Sequence, residues 1–283
     1  MRRTVPAFIA VVVLAAGLPK IAAAQQFVPL HAAVGARDGA PALNAVAGNR
    51  GDSTPLLPPV ALPRMAPELA LQVMANHAII QDAHLGSYYA ESTVTATLPD
   101  LKERAEFELD RHYVAPKTLQ FTPVRFSGDN FVKSNVIVRL LQSEVDHVQK
   151  DQPGQTAINA QNYKFAYKGR ERMDGRLVHV YHLKPRKKRP GLFKGKIFVD
   201  AYTGTLVRAE GRMVKSPSIF LKDIDFVQDY ADVNGFTFPV HMRSQAKARI
   251  IGRVIVDVVH RGYRPLSDTE VAASHAGTAA ASN

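Results

Sequence analysis

The 283-residue chain contains no cysteine and no tryptophan. Without cysteine there is no disulfide scaffold, no thiolate zinc site, no iron–sulfur cluster and no cysteine nucleophile. A lipidated bacterial lipoprotein is excluded on the same ground, since no thiol is present to carry the acyl chains. Signatures of catalysis are missing too. There is no Gly-x-Ser-x-Gly elbow and no His-Glu-x-x-His. Gly191-Leu192-Phe193-Lys194-Gly195-Lys196 is one residue short of a phosphate-binding P-loop and lacks its Ser or Thr. His179 and His182 sit three apart on an expected strand, so they point to opposite faces and do not share a metal. His84, His112 and His147 are scattered. The expectation is a protein that is not an enzyme and needs no cofactor or metal.

Long apolar runs are scarce as well. The clearest lies in residues 1–24, where Arg2 and Arg3 precede an apolar stretch from Val5 to Leu18 and Ala22-Ala23-Ala24 precede Gln25. That order is a cleaved secretory signal, and its apolar part is shorter than the roughly 20 residues needed to span a bilayer. Removing Arg2, Arg3 and Lys20 lowers the formal charge from +11 to +8. Export changes the meaning of that charge. Nucleic acid is not the expected partner of a periplasmic chain; lipid headgroups, lipopolysaccharide phosphates and cell-wall polymers are.

Hydrophobic residues at 46% and charged residues at 22% place the remainder among globular chains rather than disordered ones. Residues 25–65, rich in Ala, Gly and Pro, predict a flexible leader. The Arg50-Gly51-Asp52 tripeptide within it is read as coincidence. Residues 266–283 predict a disordered tail, which leaves 66–265 as one folded domain. Pro67 and Glu68 open a helix with an apolar stripe of Leu69, Val73, Met74, Ile79 and Ile80, facing away from Glu68, Gln72, His77 and Gln81. Three alternating strands follow to Phe126. A second helix runs from about Asn130 to Lys150, with Phe131, Val132, Val136, Val138, Leu141 and Val145 as its apolar residues.

Beyond it the pattern is nearly all β. Asp174-Gly175, Thr203-Gly204 and Asn234-Gly235 separate alternating runs, and Asp-Gly and Asn-Gly are strong hairpin signals. The predicted class is α+β: nine or ten antiparallel strands in one large sheet that curls into a half-open barrel, covered by two or more α-helices. An ordinary α+β sandwich with a packed core meets the same pattern.

The stretch from Gly195 to Lys215, with Asp200, Gly204, Arg208, Gly211 and Pro217, then Phe220-Leu221-Lys222 and Phe226 to Tyr230, resembles the outer-membrane lipoprotein-sorting protein family. Asn162-Tyr163-Lys164-Phe165, Asp174-Gly175-Arg176 and His182-Leu183-Lys184-Pro185 are similar to the same family, and the resemblance covers most of 68–263. It implies the LolA/LolB-like fold, an incomplete barrel whose apolar cavity takes up acyl chains beneath a helical lid. It also implies lipoprotein acyl chains or lipids as cargo, with an inner-membrane donor and an outer-membrane acceptor. The same fold serves lipid-sensing envelope regulators, so a sensor that binds a protein partner or lipid without transporting it is the alternative.

Two groups of residues carry these expectations. Phe198, Ile224, Phe226, Phe236, Phe238, Met242, Val254, Val256 and Val258 are the candidates to line the apolar cavity, although alternation is met equally by side chains that fill a core. Between Lys184 and Lys196 lie seven cations in thirteen residues, on a loop set by Pro185, Pro190 and Gly191. Arg186, Lys187, Lys188, Arg189 and Lys194 are candidates for an anionic headgroup or membrane contact, with Leu192 and Phe193 at the tip entering the interface. A solvated loop is the plain alternative. The acid pairs Glu106/Glu108 and Asp223/Asp225 each share a strand face and follow the ordinary solvent-facing phase.

Overall fold

The computed structural model describes residues 63–149, 153–216 and 221–272. The expected signal, all but the end of the expected leader, and the tail beyond residue 272 lie outside the described residues. Among those described, no helix is long and apolar enough to cross a membrane.

Helix α1 (Pro67–His84) starts with Pro67 at its first positions and Glu68 in its first turn. Strands β1 (Tyr88–Leu98), β2 (Glu103–Val114) and β3 (Thr118–Gly128) form an antiparallel meander. A second helix occupies residues 130–149, capped by the Asp129 carboxylate, which accepts from the Val132 N–H at 2.8 Å. After a helical turn at Pro153–Thr156 come β4 (Tyr163–Met173), β5 (Arg176–Pro185), β6 (Phe193–Asp200), β7 (Leu206–Met213), β8 (Leu221–Val233), β9 (Phe236–Ala248) and β10 (Gly252–Pro265). The hairpin signals act as read. Asp174 and Gly175, and Asn234 and Gly235, all have positive φ, the conformation that matches a two-residue turn to strand twist.

All ten strands join one sheet in the order β3-β2-β1-β10-β9-β8-β7-β6-β5-β4. β10 returns to pair with β1, from Tyr88 opposite Pro265 to Thr97 opposite Ile255. β3 and β4 are the two edges, and the second helix carries the chain from one to the other. At ~1.5 Å per residue its 20 residues extend about 30 Å.

Alternation separates the faces. In β1, Tyr88, Ala90, Ser92, Val94, Ala96 and Leu98 are all buried, whereas the intervening residues are not. One hydrophobic cluster joins Phe107 and Leu109 of β2 with Leu183 of β5. Seven strand spacings separate those strands, roughly 34 Å in a flat sheet at ~4.8 Å each. The same cluster takes in Ala70, Met74, Val132, Ile137 and Leu140 of the helices, so this apolar face is the covered one, and a sheet this wide tends to curl around it. The architecture is therefore the expected α+β one, an open curved sheet under few helices. The outer face carries ion pairs instead: Arg125 with Glu108, Arg208 with Asp229, and Arg212 with Asp225. That places Glu108 and Asp225 in solvent-facing structural roles.

Three elements depart from the sequence reading. α1 is not amphipathic. It buries Ala70, Met74 and Gln81 and leaves Leu69, Ile79 and Ile80 exposed, Ile80 by 56%. The second helix contains a π turn at Lys133–Ile137. Its buried residues are Val132, Val136, Ile137, Leu140 and Glu144, while Val138 of the expected apolar line is exposed and Leu141 and Val145 are only half-buried. Finally, residues 268–272, assigned to the tail, form a helical turn in which Glu270 bonds Ser267 and Arg264.

Candidate functional site

The inner face has two regions. The larger is apolar and holds most of the expected cavity residues. Ile224, Phe226, Met242, Val254, Val256 and Val258 all belong to the main core cluster. Phe226 stands edge-on to Phe193, ring centroids 5.0 Å apart, and Phe193 in turn meets Tyr163. Phe236 and Phe238 lie at one end in an aromatic group. Phe238 stacks on Tyr263 at 4.2 Å and meets Tyr88 at 5.2 Å, and Phe236 is 6.4 Å from Phe238.

Phe198 does not join them. It clusters with Val178 and Val180 instead, because Phe193, Ile197 and Val199 take the inner phase of β6 and Phe198 falls in the other.

The expected membrane tip is also corrected. Leu192 and Phe193 are both 0% exposed and belong to the core. β6 begins at Phe193, so these side chains enter the barrel and cannot dip into a bilayer. Arg186, Lys187, Lys188 and Lys194 remain exposed, and Arg189 is half-buried.

The second region of the inner face is polar. Ser92, Arg111 and His260 occupy positions that the strand phase reserves for apolar residues. Arg111 Nη1 bonds Glu144 Oε2 of the second helix at 2.9 Å, and both side chains are about nine-tenths buried. Burial alone would pull the Arg111 pKa down, but the Glu144 carboxylate, together with Tyr88 and Tyr263, more than offsets this and the net shift is upward. Ser92 Oγ lies 2.8 Å from His260 Nδ1 across the β1–β10 pair. Burial, with the Arg111 charge behind it, pushes His260 down to about 3. A serine beside a histidine invites a nucleophile reading. An imidazole this weakly basic is a poor general base, however, and its charged neighbour is a cation rather than an orienting carboxylate. The arrangement is a neutral hydrogen-bonded pair. Among the described residues no group of three or more His, Asp or Glu is placed to hold a metal ion.

α1 is tied across the sheet at both ends. At its start, Met65 N–H donates to Ala201 O at 2.8 Å, and the Met65 and Pro67 carbonyls lie against His179 Nε2 and Tyr181 Oη. Further along, Val73 presses on Gly204, where a Cβ would lie 2.6 Å from the valine methyl. Near its end the Gln81 amide bonds both backbone groups of Thr237, Nε2 to O at 2.9 Å and N to Oε1 at 2.7 Å. A Gln81→Ala variant strands two backbone groups and is expected to cost about 1–3 kcal/mol. Hydrogen exchange should quicken over residues 75–84 more than in the strands. An unchanged exchange pattern would show that Gln81 does not hold the helix down.

No family model and no curated protein matches this chain. Solved structures do. A DUF1329 family protein from Desulfovibrio piger is 11% identical, with 72% of this chain and 96% of that chain covered and a TM-score of 0.36. A domain described as that of an outer membrane lipoprotein-sorting protein, from Vibrio parahaemolyticus, is 11% identical over 72% of this chain and 96% of its own, TM-score 0.37. A LolA superfamily protein from Nitrosomonas europaea is 12% identical over 71% and 95%, TM-score 0.34. Two of the three bear the name of the family that the sequence resembles. At such identities the likeness is one of strand-and-helix arrangement, and no residue's role comes with it.

Proposed function

We propose that the chain is an exported, periplasmic binding protein that takes acyl chains of lipoproteins or lipids against the inner face of its sheet and carries them towards the outer membrane. In this reading the protein performs no catalysis.

The observation that carries the reading is the nature of the cover. The inner face is apolar over most of its width, yet α1 crosses it as a helix with apolar side chains on both sides. Leu69, Ile79 and Ile80 face solvent while Ala70 and Met74 face the core. A helix built this way carries apolar surface on its outer side that a second apolar environment can cover. Val138 of the second helix is exposed in the same manner. Burial stabilises by about 0.8 kcal/mol per CH₂, so ten methylenes supply about 8 kcal/mol, the scale of a micromolar complex. That gain is set against the helix contacts displaced.

The test is native mass spectrometry with lipid extraction on protein purified from periplasm without detergent. The expected result is an acylated species bound near one per chain. A clean apo mass that takes up no added lipid would remove the carrier reading and favour a sensor that binds a protein partner.

A further inference from the structure

The basic loop makes a pocket of its own. Residues 186–192 fold back on the segment 157–162 that precedes β4. Gln161, Asn162, Arg186, Lys187, Arg189 and Leu192 line a recess of about 220 Å³. Three of the six are cations and none is acidic.

The recess is built rather than incidental. Asn159 Oδ1 accepts the N–H groups of Gln161 and Asn162 at 3.1 and 3.0 Å, which fixes the turn. Asn162 is buried and donates through Nδ2 to Ala157 O at 2.8 Å. Its Oδ1 then accepts from Arg189 Nη2. Arg186 is held at its backbone by Asn162 O and at Nε by Ala160 O, both 2.8 Å. Each guanidinium is thus oriented through one edge by a neutral oxygen.

Among the described residues their charge is left uncompensated. Arg104, Arg111, Arg125, Arg208, Arg212 and Arg264 each pair with a carboxylate. Among the described residues no carboxylate pairs with Arg186, Lys187, Lys188 or Arg189. In addition, Arg189 Nε is buried without a hydrogen-bond partner. A buried N–H with no acceptor, beside oriented cations, calls for a multidentate oxyanion. Guanidinium forks suit phosphate oxygens, and a lysine adds a point charge.

We propose that this recess binds a phosphate group, carried on a lipid headgroup or free in solution. The headgroup source rests on the lipid-carrier reading; the phosphate site itself does not. It also replaces the apolar-tip contact, since Leu192 forms the wall of the recess and not a membrane anchor.

The experiment titrates the mature protein with inorganic phosphate by calorimetry. In parallel, it measures co-sedimentation with phosphatidylcholine vesicles containing or lacking phosphatidylglycerol. Arg186→Gln/Lys187→Gln is expected to weaken binding at least tenfold. Arg189→Lys, which keeps the charge but loses the fork, should weaken it severalfold. Lys168→Gln/Lys247→Gln removes the same charge from exposed positions on β4 and β9 and should change it less than twofold. Saturable one-to-one uptake of phosphate identifies the free anion as sufficient; binding only to phosphatidylglycerol vesicles identifies the headgroup. The proposal is overturned if the native chain binds neither, or if the remote pair of substitutions weakens binding as much as the local pair. Should the arginine variants fail to fold, Lys187→Gln alone decides the matter, because that side chain is exposed and makes no bond among the described residues. A chain that carries no lipid but still takes phosphate here keeps the site and loses the carrier reading.

Discussion

Replacing Glu144 with alanine is expected to destabilise the protein by about 3–5 kcal/mol, the cost of leaving a buried charge without its partner. Arg111 is buried beneath the second helix, and among the described residues Glu144 is the carboxylate that pairs with it, at 2.9 Å. The guanidinium cannot shed its proton to escape, so it must either be hydrated by opening the helix or stay unpaired. Both routes act against the folded state. The paired change Arg111→Met/Glu144→Leu should be far milder, near neutral, because apolar side chains of similar volume remove charge and partner together. Urea unfolding of the three proteins makes the comparison. A single Glu144→Ala variant within 1 kcal/mol of the parent would mean that the ion pair does not hold the helix to the sheet.

The second large effect is loss of stability in acid, and it belongs to His260. Its folded pKa, about 3, lies below the ordinary value of 6.5, so between those limits the unfolded chain binds the proton and the folded chain does not. Stability from this group is complete above pH 6.5 and falls as the pH drops towards 3. The slope approaches ~1.4 kcal/mol per pH unit for one proton. His147 is also lowered by burial and acts with the same sign. His260→Gln keeps a partner for Ser92 and removes the titration, so its stability should fall less steeply between pH 6 and 4, by about one proton's slope. Parallel curves for the two proteins would place the acid sensitivity elsewhere.

Much of this architecture is legible in the residue order because strand and turn signals are local. Asp174-Gly175 and Asn234-Gly235 need only their own φ angles to set a hairpin, and the alternation from Tyr88 to Leu98 names its buried face directly. The failures come where one signal hides another. The density of cations from Lys184 to Lys196 makes that segment look like a loop throughout. Yet Phe193, Ile197 and Val199 already share one strand phase, which puts Phe193 in the core and Phe198 on the opposite face. The second helix misleads because it carries apolar residues on two adjacent lines, and Val138, Leu141 and Val145 belong to the one that is not fully buried. Once Ile137 rather than Val138 points inward, Glu144 follows. The polar region of the inner face had a signal that went unused. Ser92, Arg111 and His260 each break an otherwise apolar phase, and such a break asks for a buried partner. The cross-sheet hold of Gln81 on Thr237 has no local mark at all, because its two ends are 156 residues apart.

The pairing of β1 with β10 has a consequence in time. A chain emerges from synthesis in order, and here the strand that completes the middle of the sheet is the last of these ten to be made. Until residues 252–265 appear, the first hairpins have no neighbour on one side, and the six strands from β4 to β9 form a separate unit. Joining Thr97 to Ile255 closes a loop of more than 150 residues, a separation of the kind that slows folding when contacts are non-local. A nascent chain of this topology therefore spends most of its assembly with a bare apolar surface, and the final strand is what ends that exposure.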